Sequence, residues 1–263
     1  MTELTELYNA RKQEILEFLG VLMFLENKEQ SSDEDGNSFE KFFNSDANIK
    51  QKYDENRTEL DRFFNSNGGI KLTYQSFTNI LKSNLSLMIY NLIEFTVSHL
   101  IQTIYDTIKS ESLSYTDVNE YIRKIWTRAV LKSINDPNFK VSTFIDKNEE
   151  IINKILNRTA IDLHYRDTVP GGNLGGEDIR DLLKSHGIVP DTHSENYRPD
   201  ILNKIKKSRN DLAHGSVSFV EAVRDNSITD IEADLTVILS FLEEIMTNVS
   251  DYLNMEYYKN NQH

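Results

Sequence analysis

Apolar residues recur along this chain at helical spacing. Leu4, Leu7, Ile15, Leu19 and Leu22 predict an amphipathic helix over Glu3–Leu25. Glu26–Ser38 (ENKEQSSDEDGNS) is polar and acidic and reads as a surface loop or a locally disordered segment. A second helical stretch is expected over Phe39–Phe64, ended by Asn67-Gly68-Gly69. The longest apolar run is Tyr74–Lys109, whose middle is LSLMIYNLIEFTVSHLIQTIY. A membrane span needs about 20 apolar residues with almost no charge. Asn91, Glu94, His99 and Gln102 interrupt this run, so no membrane association is expected. A helix apolar nearly all round belongs in the middle of a bundle.

The remaining pattern is also helical. Tyr115–Ser133 places Tyr121, Ile125 and Trp126 on an apolar side, and Asn135-Asp136-Pro137-Asn138 is a turn. Lys147–Leu156 and Glu177–His186 are shorter helices, the second preceded by a flexible glycine loop, Pro170–Gly176. Pro199 suits the first position of a helix over Asp200–Ala213, with Ile201, Ile205 and Leu212 inward. Gly215 stands where that helix should stop. Thr229 and Glu232 form a capping-box pattern for a last helix from Asp230 to near Tyr258. Strand signals are scarce, and no repeat of roughly 20 to 50 residues is present. The fold class predicted is all-α: a single domain over 1–263, with an N-terminal helical extension over 1–70 and a glycine-loop-plus-short-helix insert over 170–186.

Composition narrows the chemistry. Apolar residues are 38% and charged residues 27% of 263, as in a soluble globular protein. There is no cysteine, which excludes disulfides, Cys-ligated zinc and thiolate catalysis. The first 25 residues mix acids with apolar positions and show no secretory signal, so a cytoplasmic location is expected. The net charge of −13 repels nucleic acid at long range, so any nucleic-acid contact must be local.

Several side-chain groups could carry chemistry. The glycine loop lacks a following Lys-Ser or Lys-Thr, and its helix opens with Glu177, Asp178 and Asp181, which would repel phosphate; it reads as a plain loop. His164, His186 and His193 have no metal-ligand spacing and read as surface histidines; no metal and no cofactor is expected. Glu94 lies within an apolar helix, where a carboxylate needs a partner such as Arg123 or Arg128, or a site that uses it; Asn91 lies one turn earlier. Lys204 to Gly215 (KIKKSRNDLAHG) is the strongest local feature. Arg plus His can cleave RNA without metal: imidazole moves a proton at neutral pH, and guanidinium stabilises charge growing on phosphorus. Lys204, Lys206 and Lys207 add a local basic patch for RNA. Arg158–His164, Arg180–His186 and Arg209–His214 share similar spacing, so spacing alone singles out none. The third pair differs in context, standing in the last turns of a well-signalled helix with Gly215 behind it. Five helical steps leave Arg209 and His214 about 140° apart, a gap that arginine reach, a loosened helix end or a second chain must close.

At these residues the sequence resembles the HEPN superfamily, small all-α domains whose signature is Arg, a polar residue, a short spacer and His. RNDLAHG is a close version of it. YNLIEFTV, GGNLGGEDIRDLLKSHGI and IKKSRNDLAHGSVSFVEAVRD extend the likeness to the MAE-type HEPN nucleases of bacterial defence loci, over roughly residues 75 to 250. The resemblance implies a HEPN-like helical bundle with long central and C-terminal helices. It implies a metal-independent endoribonuclease, active as a homodimer, of a defence or toxin–antitoxin type system. Arg209 and His214 are then catalytic, and Asn210, Glu94 and Asn91 are supporting. The implied partners are an RNA substrate, a second copy, and an antitoxin or defence-complex protein. HEPN toxins silenced by adenylylation carry a tyrosine two residues after the histidine, where this chain has Ser216. The alternative function is a non-catalytic HEPN module that binds nucleic acid or a partner protein in a defence complex.

Overall fold

The computed structural model describes residues 1–30, 74–131, 141–168 and 173–260. Its elements are α1 (Thr2–Gln30), α2 (Tyr74–Ser110), α3 (Glu120–Val130), α4 (Val141–Leu156), α5 (Tyr165–Thr168), α6 (Gly176–Ser185), α7 (Pro199–Ala213) and α8 (Ile228–Asn254). The fold is all-α, and the described residues contain no strand. The helix expected over Phe39–Phe64, the Asn67–Gly69 stop, the Asn135–Asn138 turn and the start of the glycine loop lie outside the described residues.

The described residues divide into two compact units. The first holds Met1–Ala10, Asn91–Lys206 and Leu235–His263. Its core is the apolar run of α2 (Leu92, Ile93, Val97, Ile101, Ile104 and Ile108) with Phe241, Leu242, Ile245 and Val249 of α8, all at most 2% exposed. α3 starts at Asn119, whose side chain accepts from Ile122 N at 2.9 Å, and buries Ile122, Ile125 and Trp126. Tyr121, expected inside, is 40% exposed, because its neighbour Ile122 takes the inward position. The segment after α8 returns to this start: Asn119 N donates to Tyr258 O at 2.8 Å.

The second unit holds Arg11–Tyr90 and Lys207–Asp234. In it α1 buries Ile15, Leu19, Leu22 and Leu25. In the first unit Leu7 is exposed and Tyr8 is buried instead, its hydroxyl donating to Glu243 Oε1 at 3.4 Å. α1 runs on to Gln30, so the polar segment begins inside a helix. The last helix is capped two residues earlier than Thr229–Glu232 suggests. Ser227 N donates to Asp230 Oδ2 at 3.1 Å and Asp230 N to Ser227 Oγ at 3.1 Å, a capping box that starts α8 at Ile228. α8 ends at Asn254, short of Tyr258, before a turn in which Glu256 takes φ 54°.

Candidate functional site

α7 carries the Arg–His signature, and both of its ends are specified by sequence. At its start, Pro199 is the first residue, and Gly176 N donates to Asn203 Oδ1 at 3.1 Å. A Cβ on Gly176 would stand 2.5 Å from Pro199 Cα, and one on Gly175 would stand 2.2 Å from Asn203 Oδ1. The expected flexible loop therefore ends in two buried glycines that let α6 approach the first turns of α7. At the other end, Gly215 takes φ +67°. Ser216 N donates to Asp211 O at 2.9 Å and Gly215 N to Leu212 O at 3.2 Å, the paired bonds of a Schellman stop. This stop makes His214 the cap residue of α7, its backbone N–H donating to Asn210 O at 2.9 Å and its side chain exposed.

Arg209 is half-buried. Its guanidinium lies 5.2 Å from the centroid of the Tyr90 ring, and its NH1 donates to Asn210 Oδ1 at 3.1 Å. Tyr90 is fully buried and was not singled out by sequence, although it opens the YNLIEFTV string. The structure thus brings Arg209, Asn210 and Tyr90 together. Among the described residues no hydrogen bond or ring contact joins Arg209 to His214.

The segment after His214 is latched to α2 by a buried polar stripe that sequence reasoning also missed. Asn79 Nδ2 donates to Val220 O at 3.3 Å, Ser83 Oγ to Phe219 O at 2.6 Å and Lys82 Nζ to Asn226 O at 3.5 Å. The three side chains are at most 7% exposed. Polar residues one turn apart in a helix otherwise rich in apolar positions were the available signal. Buried polar groups need partners, and loop carbonyls are among those found here.

The lysines are not all open to solution. Lys206 Nζ is 2.8 Å from Asp178 Oδ2, and this ion pair holds the Asp178 carboxyl below its ordinary range. Lys207 pairs with Asp211 one turn on. Lys204 is exposed.

Glu94 and Asn91 belong to the other unit. Asn91 is exposed. Glu94 is half-buried rather than enclosed, because it lines an open groove beside α5. Its expected arginine partners are engaged elsewhere or exposed: Arg123 Nε donates to Val118 O at 2.9 Å and its guanidinium stands over Tyr115, while Arg128 is exposed. Of the three histidines read as surface residues, His164 and His193 are exposed, but His186 is 1% exposed. It continues the inward stripe of Ile179 and Leu183 and meets the Tyr105 hydroxyl at 2.7 Å.

No helix among the described residues is long and apolar enough to cross a membrane. No curated protein and no solved structure matches the chain. The family described as MAE_28990-like HEPN matches residues 1–258, which takes in the N-terminal 70 residues that carried little of the resemblance. HEPN domains are nuclease-type or nucleotide-binding modules, and many are ribonucleases. With an all-α fold and a family match over nearly its whole length, the chain belongs to the MAE_28990-like HEPN family.

Proposed function

We propose that this protein is a metal-independent endoribonuclease of a bacterial defence or toxin–antitoxin type system, acting in the cytoplasm as a homodimer. The observation that carries this is the end of α7, where Arg209 is seated on Tyr90 and tied to Asn210, and Gly215 leaves the His214 imidazole exposed. A two-fold dimer that pairs two such helix ends would supply two imidazoles and two guanidiniums to one cleft. It would also supply, from the second copy, the Arg–His proximity that one helix does not make. In this reading the RNA 2′-hydroxyl attacks the adjacent phosphorus and loses its proton to one His214. The bond from phosphorus to the 5′-oxygen breaks, and His214 of the second copy protonates that oxygen. The products are a 2′,3′-cyclic phosphate and a 5′-hydroxyl. Arg209 stabilises the charge that grows on the phosphorane. Lys204, Lys206 and Lys207 contact the RNA backbone by exchanging their present partners, Asp178 and Asp211 among them, for phosphate.

The test is incubation of the protein with tRNA and total RNA in chelator, beside His214→Ala. Cleavage is expected to fall by about 10²- to 10⁴-fold in the variant, and DNA to resist because it lacks the nucleophile. A variant as active as its parent would refute the site assignment. The acid pairs on Lys206 and Lys207 favour a second reading, a HEPN module that holds a partner without turning over RNA. A stable complex with no cleavage by the free or bound protein is its signature.

A further inference from the structure

Helix α4 rests on α3, and none of its described side chains is buried. Lys147 and Lys154 both reach Glu150, at 2.8 and 2.7 Å, and all three are half-buried. On the opposite side of the helix, at about 100° per residue, Ile145, Glu149, Ile152 and Leu156 form one exposed row. We propose that this row docks an amphipathic helix of a partner protein, one whose apolar seam carries a lysine or arginine that faces Glu149. Such docking goes beyond the ribonuclease reading and holds for a nuclease and for a non-catalytic module alike.

Spacing and exposure point to a helical partner. Isolated exposed apolar side chains are ordinary, but a continuous row of them marks a contact surface. Ile145, Ile152 and Leu156 are each more than half exposed. With Glu149 they follow one another at spacings of four, three and four. That is the seam of a two-helix coiled coil, where each such side chain enters a hole between residues of the facing helix. The row runs along about three turns, enough to seat one short helix.

Glu149 selects the occupant. Its carboxylate, and that of Asp146 beside the row, make no hydrogen bond or ion pair among the described residues. A carboxylate shut into a seam must be paired. A second copy cannot supply the partner. In a parallel pair the two Glu149 carboxylates would face each other, and in an antiparallel pair centred on the row each would face the other copy's Ile152. An anionic membrane does not fit either. Helices that lie on such a surface carry lysine and arginine around the apolar face, whereas here acids flank the row and Lys147 and Lys154 are paired on the far side. A basic residue in a partner's seam meets Glu149, and one at the seam's edge meets Asp146. The net charge of −13 steers such a partner toward the chain.

The test is fluorescence anisotropy of the full chain with two labelled three-heptad peptides of identical composition. Both carry leucine along the seam. One has a single arginine in the middle of the seam, and the other exchanges that arginine with a glutamine of the outer face. The seam-arginine peptide is expected to bind at least about 10-fold more tightly, the effect of a close charge pair at an interface. Glu149→Gln is expected to erase the difference and Ile152→Asn to remove binding of both peptides. Asp251→Asn, at an exposed acid of α8, is expected to change neither. Because the three substituted side chains are exposed, the variants are expected to keep the parental urea midpoint. No binding, equal binding of the two peptides, a preference that survives Glu149→Gln, or binding that survives Ile152→Asn would overturn the proposal. Self-association in sedimentation, or binding to phosphatidylcholine–phosphatidylserine vesicles, that Ile152→Asn removes would assign the row to a second copy or a membrane and overturn it as well. RNA cleavage by a protein that fails this test leaves the nuclease reading standing. Peptide docking by a protein that cleaves no RNA removes the nuclease reading alone.

Discussion

His186 shows how much one residue's surroundings decide. In the string LLKSHGI it looks like any surface histidine, yet it is enclosed. Its Nδ1 is 2.8 Å from Leu182 O, a group that can only accept, so Nδ1 carries a proton, and Nε2 stands 2.7 Å from the Tyr105 hydroxyl. Burial pushes its pKa down from 6.5 to about 4. The sign of the consequence follows. Between about 6.5 and 4 the unfolded chain takes up a proton that the folded chain refuses, so stability is whole above this window and falls as pH falls through it. The loss amounts to roughly 3 kcal/mol at most. Urea midpoints at pH 7 and pH 4.5 are expected to drop much less for His186→Gln than for the parent. Equal acid losses in the two proteins would show that another group governs the slope.

At the scale of elements, the glycines before α7 give the clearest test. Helix propensity alone says that Gly176→Ala should stabilise α6, by up to about 1 kcal/mol. The added methyl would stand 2.5 Å from Pro199 Cα, which is backbone and cannot swing aside. A net loss of about 1 to 3 kcal/mol is expected, read from the urea midpoint; a gain would mean that the α6–α7 approach is loose. Boundaries set by local chemistry were legible in the sequence. Pro199 and Gly215 bracket α7, and the apolar runs locate α2 and α6 to within a residue or two. What was not legible depends on backbone geometry or on distant partners. Ser227–Asp230 and Thr229–Glu232 have the same spacing, and only the backbone selects the first. Tyr121 and Ile122 are adjacent and both apolar, and helix phase decides which turns inward. In the candidate site, Arg209, Asn210 and His214 could be read from their own string. Tyr90, over a hundred residues away, could not, nor could Asp178, the distant acid that claims Lys206.

At the scale of the whole molecule, the −13 charge and the engaged lysines mean that RNA meets a surface that repels it except where specific groups face it. Two copies sharing one cleft would concentrate those groups. The shared cleft has a direct test. Arg209→Ala and His214→Ala are each expected to lose nearly all cleavage, while a mixture of the two regains a small part of it, because a mixed dimer keeps one guanidinium and one imidazole in the cleft and, of the groups the reaction uses, lacks only the second imidazole. Mixtures as inactive as their components would count against a cleft shared in this way.

The sole tryptophan of the chain, Trp126, is 5% exposed on α3, with the Tyr115 ring 5.4 Å away. It lies in the unit that contains His186, Glu94 and α3, and the unit with Arg209 and His214 has none. Indole emission is therefore a private optical channel. It follows the unfolding of one unit and is blind to the other, whereas far-ultraviolet dichroism sums the helices of both. Any gap between the two melting curves measures how independently the signature-bearing unit comes apart.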